Sequence, residues 1–316
     1  MSVTLRPYRI SDFEALSNLW EATLGASWSL TPQYLARMIT GSAAYQEGDH
    51  IVAEQDSQIV GFAATRVHAS GKGGGIPLLI VDPTMRRQGI GTRLHEAALE
   101  HLRQKQVETI NFTSGGEPFW PGVPHNSPGA EEFFEACGWN LDEFNYDLTR
   151  DLKDYQTPPG VLERAAQQGI VYRVATADEA PLIIAFEDLN FPFWTEYFVE
   201  TAAEGRYRDI LAAWDGDEVV GSLMLSKIDL KTHHQDGLWH LMLGDDMGTI
   251  GAVGVQEARE RRGIGLAMVA TASEILQERG VRQCVIGWTD LMNFYGELGY
   301  TIWREYWMAE SRDFGT

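Results

Sequence analysis

Between Ile90 and Leu102 an apolar residue returns at every fourth position: Ile90, Leu94, Ala98, Leu102. The same step recurs at Ile264, Met268, Ala272 and Leu276. Four-residue spacing keeps side chains on one face of an α-helix, so each run predicts an amphipathic helix with a buried stripe. Upstream, "IVAEQDSQIVGF" from Ile51 and "ILAAWDGDEVVGS" from Ile210 each read as apolar strand, polar turn and apolar strand. Earlier still, "RPYRISDFEAL" parallels "YRVATADEAPL". Ser11 with Glu14, and Thr176 with Glu179, have the spacing of a capping box that opens a helix.

These likenesses belong to one repeat. When Gly89 is set on Gly263 the two helical stripes coincide, Val81 falls on Val255, Val107 on Val281 and Phe112 on Ile286. Further on the register changes: "FFEACGW" pairs with "FYGELGY", and Gly138 meets Gly299. The first copy therefore holds extra residues, which fall in "SGGEPFWPGVPHNSPG", Ser114 to Gly129. Self-similarity on this scale marks a duplicated domain. Each copy predicts strand, helix pair, strands, helix, strand, helix and strand. That is an α/β (mixed α+β) architecture of two tandem domains, each a mixed central sheet flanked by helices. The expected boundaries are 1–150 for the first domain, 151–169 for a polar linker containing Pro158-Pro159, and 170–316 for the second.

Composition narrows the chemistry. The 316 residues are 44% hydrophobic, enough for two packed cores, and carry a formal net charge of −20. An acidic chain with arginine confined to short loops argues against nucleic acid, whose phosphates call for a broad basic face. Two cysteines, Cys137 and Cys284, form no CxxC pair and fit a reduced, cytoplasmic setting. The start "MSVTLRPYRISDF" lacks the apolar core of a signal peptide, and no apolar run approaches a membrane span. The histidines His233, His234 and His240 have no further ligand at metal spacing, so no metal site is expected. "GKGGG" at Gly71 to Gly75 reads as a hairpin turn.

What remains is the pair of loops. "MRRQGIGTRL" (Met85 to Leu94) and "RERRGIGLAM" (Arg259 to Met268) each sit between an apolar strand and a helix. A helix N-terminus presents free N–H groups and partial positive charge, glycine lets an anion approach the backbone, and arginine adds charge-assisted donors. The loops therefore predict an anion site, a diphosphate above all. Neither has the GK[ST] of a nucleotide P-loop nor the GxGxxG of a dinucleotide fold.

"VDPTMRRQGIGT" resembles the cofactor loop of the GNAT superfamily of acyl-CoA N-acyltransferases, [QR]xxGx[GA] after a strand, matched by Arg86, Gly89 and Gly91. The resemblance covers nearly the whole chain twice, in the tandem layout of the mycothiol-synthase type. It implies an acetyl-CoA cosubstrate, with its diphosphate on the loop and its pantetheine along the preceding strand. In the first copy this points to Ile80, Val81, Arg86, Arg87, Gln88, Gly89, Ile90, Gly91 and Thr92. In the second it points to Val253, Val255, Arg261, Arg262, Gly263, Ile264 and Gly265.

The implied reaction is direct attack of a primary amine, from a small molecule or a peptide, on the thioester. Tyr295 stands at the family's general-acid position, and its partner Phe134 cannot give a proton. Against that, Pro83 and Arg86 become Glu257 and Glu260 in the second loop, leaving Arg259, Arg261 and Arg262 to offset them. Asp245, Asp246 and Glu187 are the acids expected to border the second acceptor cleft. "FEDLNFPFW" (Phe186 to Trp194) is expected to cover the acceptor pocket, with substrate stacking as its other role. The extra segment of the first copy reads as an ordered surface loop held by proline and aromatics, or as a cover over the first acceptor site. A non-catalytic acyl-CoA binder with one or both halves degenerate is the alternative function. The expected assembly is a monomer, as an internal pseudo-dimer, or a homodimer.

Overall fold

The computed structural model describes residues 2–41, 45–68, 71–111, 119–232, 235–309 and 312–313. Phe112, His233, His234 and the first part of the extra segment lie outside the described residues.

In chain order the first copy forms β1 (Thr4–Pro7), α1 (Phe13–Thr23), α2 (Pro32–Thr40), β2 (Ile51–Gln55), β3 (Gln58–Val67) and β4 (Gly73–Val81). It continues with α3 (Ile90–Gln104), β5 (Thr109–Asn111), β6 (Val123–Pro124), α4 (Ala130–Ala136) and β7 (Leu141–Asp151). The second copy follows: α5 (Val161–Ala166), β8 (Ile170–Val174), α6 (Ala180–Asn190), α7 (Thr195–Ala203), β9 (Ile210–Asp215), β10 (Glu218–Lys227), α8 (His240–Leu243) and β11 (Gly248–Val255). Then come α9 (Ile264–Glu278), β12 (Gln283–Thr289), α10 (Met292–Gly296), β13 (Thr301–Ala309) and β14 (Arg312–Asp313).

Two compact units result: residues 1–145 with 304–316, and residues 146–303. The sequence repeat divides at 1–150 and 170–316; the compact units instead follow strand pairing. In the first unit the sheet runs β1-β2-β3-β4-β5-β14, so the chain's last strand closes it, and β6 pairs with β13 at Trp307↔Val123. In the second unit β7, from the end of the first copy, pairs antiparallel with β12, and the order continues β11-β10-β9-β8. Both sheets are antiparallel except at β4–β5 and β11–β12, which are parallel.

Alternation along β9 shows how the second sheet is covered on two faces. Leu211 and Ala213 join the core formed by the α9 stripe, while Ile210, Ala212 and Trp214 join the core of α6 and α7. The predicted stripes are those cores: Leu94, Ala98 and Leu102 in the first unit, Met268, Ala272 and Leu276 in the second, all fully buried. Gly73 to Gly75 of the "GKGGG" run open β4, and Gly71 takes the positive φ (+73°) of the turn before it.

The extra segment corrects one expectation. Phe119 and Trp120 are buried, not at the surface. Trp120 stacks on Trp20 at 5.8 Å and meets Trp28 edge-on at 5.2 Å. Phe119 lies 5.0 Å from Trp20. Phe119 and Trp120 form an aromatic wedge against Trp20 of α1 and against Trp28, where their large rings gain from burial.

Candidate active site

Both loops adopt one backbone course. After a short 3-10 turn, Arg87 and Arg261 take φ of +61° and +59°, and Gly89 and Gly263 take +75° and +84° as N-caps of α3 and α9. A positive φ costs an arginine roughly 1–2 kcal/mol relative to the right-handed region. Strain kept twice at matching positions argues for use rather than accident. Successive amides turned inward by such φ values make an anion-binding nest. Among the described residues, nothing accepts a hydrogen bond from the amides of Arg87 to Thr92 or of Arg261 to Leu266. These groups fit a diphosphate. A Cβ placed on Gly89 meets no atom within 4 Å, so the first loop is open.

Side chains divide the loop residues. Arg86, Arg87, Gln88 and Thr92 are exposed, as are Arg261 and Arg262. Ile90 and Ile264 are buried core residues, so only their amides face outward at the helix start. Arg86 donates from Nε to the Val81 carbonyl at 3.2 Å, tying the loop to β4; Glu260, at the matching place, is no such donor. Arg259 is bound to Asp215 at 2.6 Å and to Glu218 at 3.6 Å, so it offsets those acids rather than Glu260. The second loop has another brace: Gln168 donates to the Arg262 carbonyl at 2.9 Å and the Tyr172 hydroxyl to the Ile264 carbonyl at 3.0 Å. In each copy an aromatic ring packs on the second loop glycine, Phe133 on Gly91 and Phe294 on Gly265.

The strand leading into the second loop is unpaired on one side. β11 and β12 pair from Gly248↔Cys284 to Ile250↔Ile286, and there the pairing ends although both strands run on. A bulge sets Ala252 and Val253 opposite Leu223 alone, with Ala252 at φ +48°. Across the opening, β12 bulges at Gly287 and Trp288, and the exposed Trp288 takes φ +59°. Val253 and Val255 are half-buried along this free edge, which suits a ligand able to supply the missing strand's hydrogen bonds. In the first unit Ile80 and Val81 are buried, and the last described pair of the parallel strands is Gly75↔Asn111.

Tyr295 lies in the core cluster that also contains Ile250, where the pairing stops, and Ile264, where α9 starts. Its ring is buried, and burial, with Asp290 adding, pushes its hydroxyl up to about 12. The phenol therefore keeps its proton at neutral pH. Phe134 occupies the matching place in the first unit.

The three acids expected at the acceptor cleft take two different places in the second unit. Asp245 and Asp246 precede β11 at its paired end, roughly 20 Å of strand from Ala252 at about 3.3 Å per residue. Asp245 is bound to His240 Nδ1 at 2.9 Å. Glu187 sits on the buried face of α6 with no exposure. It accepts a hydrogen bond from Ser222 at Oε1, while Oε2 has no partner. Burial pushes its carboxyl up to about 7, against the Ser222 hydrogen bond. Ser222 pairs with Gly254 of β11, and the Phe191 ring crowds Gly254. In the first unit Phe62 pairs with Ile80 at the matching register, and Trp20 occupies the α1 place of Glu187. Ser222 is the residue missed in the sequence; one hydroxyl inside the apolar "EVVGSLML" is its only signal. Of the aromatic run, Phe191 and Trp194 pack on the α6 core while Phe193 is exposed. Two open clefts of about 360 and 400 Å³ in the second unit, one lined by Arg150 and Thr301 and the other by Tyr155 and Glu278, have none of the loop residues in their lining.

Comparison with known proteins agrees with this geometry. The Acetyltransferase (GNAT) family pattern matches residues 13–139 and again 171–300. The chain is 26% identical over 202 residues to the mycothiol acetyltransferase of Clavibacter sepedonicus, covering 64% of this chain and 60% of that protein. It superposes, with a TM-score of 0.90 and 32% identity, on the GCN5-related glucosamine N-acetyltransferase region of a fungal multi-domain GH3 β-N-acetylglucosaminidase. That match covers 98% of this chain and 38% of the fungal one. A tandem GNAT protein from the clavulanic acid biosynthesis pathway shares the fold at 16% identity and a TM-score of 0.64, over 100% of this chain and 99% of its own. With both copies matched, the chain belongs to the GNAT family of acetyltransferases as a tandem member.

Proposed function

We propose that the protein transfers an acetyl group from acetyl-CoA to the primary amine of an amino sugar, glucosamine being the acceptor to try first. The fungal glucosamine N-acetyltransferase region supports the sugar, because it matches over nearly the whole chain at 32% identity. The second unit is the working one. One observation carries this: at matching positions the second unit holds Glu187, Ser222 and Tyr295, and the first holds Trp20, Phe62 and Phe134.

The chemistry follows from the arrangement. The loop amides of Arg261 to Gly265, with the Arg261 and Arg262 side chains, bind the diphosphate. The free edge of β11 at Val253 and Val255 takes the pantetheine arm and supplies N–H donors for the oxyanion that forms as the amine attacks. The Tyr295 hydroxyl, protonated at neutral pH, gives its proton to the departing thiolate. The first unit keeps the loop without the polar groups, so it serves the fold or holds acyl-CoA without turnover.

The test is release of CoA from acetyl-CoA with and without glucosamine. Release that depends on the amine, and yields N-acetylglucosamine, is expected. No turnover across a panel of amino sugars and other amines would leave the non-catalytic binder as the function.

A further inference from the structure

Acetylation of an amine needs a proton acceptor, since the nitrogen attacks only as the free base and the ammonium form must first lose a proton. We infer that Glu187, held by Ser222, is the base that takes this proton in the second unit. The inference rests on the proposed acetyl transfer by that unit.

Three observations place the carboxyl in this role. It is hydrogen-bonded to Ser222 of β10, the residue that pairs with Gly254 on the neighbouring strand β11. Its Oε2 is fully buried and has no hydrogen-bond partner among the described residues, a costly state that asks for a use. The same place in the first unit is filled by Trp20, whose Nε1 donates to the Trp28 carbonyl, and by Phe62, so packing alone does not require an acid.

The surroundings leave the titration to Glu187 itself. Packed against α6 are α7 and β10. Their titratable groups, Glu196, Tyr197 and Glu200 on α7 and Glu218 and Lys227 on β10, are all exposed. Desolvation raises the carboxyl and the Ser222 hydroxyl opposes it, with no charged neighbour acting. The base is thus poised near neutral pH, where proton transfer is most effective.

The protons balance as follows. Of the three on the acceptor ammonium, one goes to Glu187 before attack and leaves to solvent after turnover. The freed nitrogen attacks the thioester carbonyl, the C–N bond forms and the C–S bond breaks. A second proton passes to the CoA sulfur through the Tyr295 hydroxyl, and the third stays on the amide nitrogen.

The experiment is the pH dependence of kcat for glucosamine acetylation by the wild type, Glu187→Gln and Ser222→Ala, with acetyl-CoA affinity measured for each. The wild-type rate should fall below a break near pH 7. Glu187→Gln should lose about 100-fold or more at pH 7.5 and show no such break, with acetyl-CoA affinity within about twofold. Ser222→Ala removes the one group that lowers the carboxyl, so the break should move to higher pH. A Glu187→Gln enzyme that keeps both the break and the rate overturns the inference while leaving acetyl transfer standing. Should Glu187→Gln fail to fold, an unmoved break in Ser222→Ala overturns it instead. A wild type that acetylates no amine overturns the parent reading along with it.

Discussion

Tyr295 shows how burial prepares a side chain. With the hydroxyl pushed up to about 12, the phenol is a donor over the whole working range and never a base. Replacing it by Phe should lower kcat by about 10²–10⁴ with the KM for acetyl-CoA unchanged, as removing a general acid does. A change of less than threefold in steady-state kinetics would move the acid elsewhere. Two buried histidines set the acid side of stability. His50 donates to the Ile39 carbonyl at 2.8 Å, which favours its charged form, and accepts from the Thr65 amide at 3.2 Å; His95 accepts from Trp139 Nε1 at 3.0 Å. Burial lowers both to about 4 from 6.5. The unfolded chain therefore binds more protons between pH 6.5 and 4, and stability should fall as pH drops through that window, by up to about 1.4 kcal/mol per pH unit for each. Glu187 works the other way, losing stability as pH rises from 4.5 through 7, so Glu187→Gln should steepen the acid-side loss in melts followed against pH. A melting temperature flat from pH 6.5 to 4 would contradict the neutral histidines.

At the scale of elements, the strand–loop–helix unit was legible in the chain and the acceptor side was not. The four-residue stripes and the glycines give α3 and α9 the same length and the same first residue, Ile90 and Ile264. Local spacing decides such a unit, so it can be read locally. Glu187 is one of 45 acidic residues, and its importance lies in which strand α6 packs on, which only the folded chain shows. Its single clue was an acid on the apolar face of "APLIIAFEDLN". Asp245 and Asp246 stand at the paired end of β11, and sequence proximity to a strand does not say which of its ends opens. The aromatic wedge also belongs here. Trp120→Ala should cost about 3–5 kcal/mol through the cavity left against Trp20 and Trp28, and lower the melting temperature of the first unit. Acetyl transfer should stay within about twofold of wild type. Lost activity with an unchanged melt would assign the wedge to chemistry.

For the chain as a whole, the end of each copy belongs to the compact unit formed by the other. β7 carries the chain into the second unit, and residues 304–316 complete the first. Long-range pairing of this kind leaves no periodicity in the sequence, which is why the repeat and the compact units divide the chain differently. Tyr306, fully buried near Trp28, tests the consequence. Tyr306→Ala should raise amide exchange in β2, β3 and β4 of the first unit and leave β9 and β10 protected; the reverse pattern would contradict the assignment of the chain's end.

The central claim, that the second unit does the chemistry, is tested most directly by a matched pair of loop variants, Gly89→Glu and Gly263→Glu, assayed for glucosamine acetylation. Each puts a carboxylate where a diphosphate would lie, on a backbone of the same conformation, although Gly89 is open and a side chain at Gly263 meets Arg164 at 3.1 Å. The account predicts turnover within a few-fold of wild type for Gly89→Glu and none detectable for Gly263→Glu. Turnover lost only with Gly89→Glu would place the working site in the first unit and remove Tyr295 and Glu187 from the mechanism.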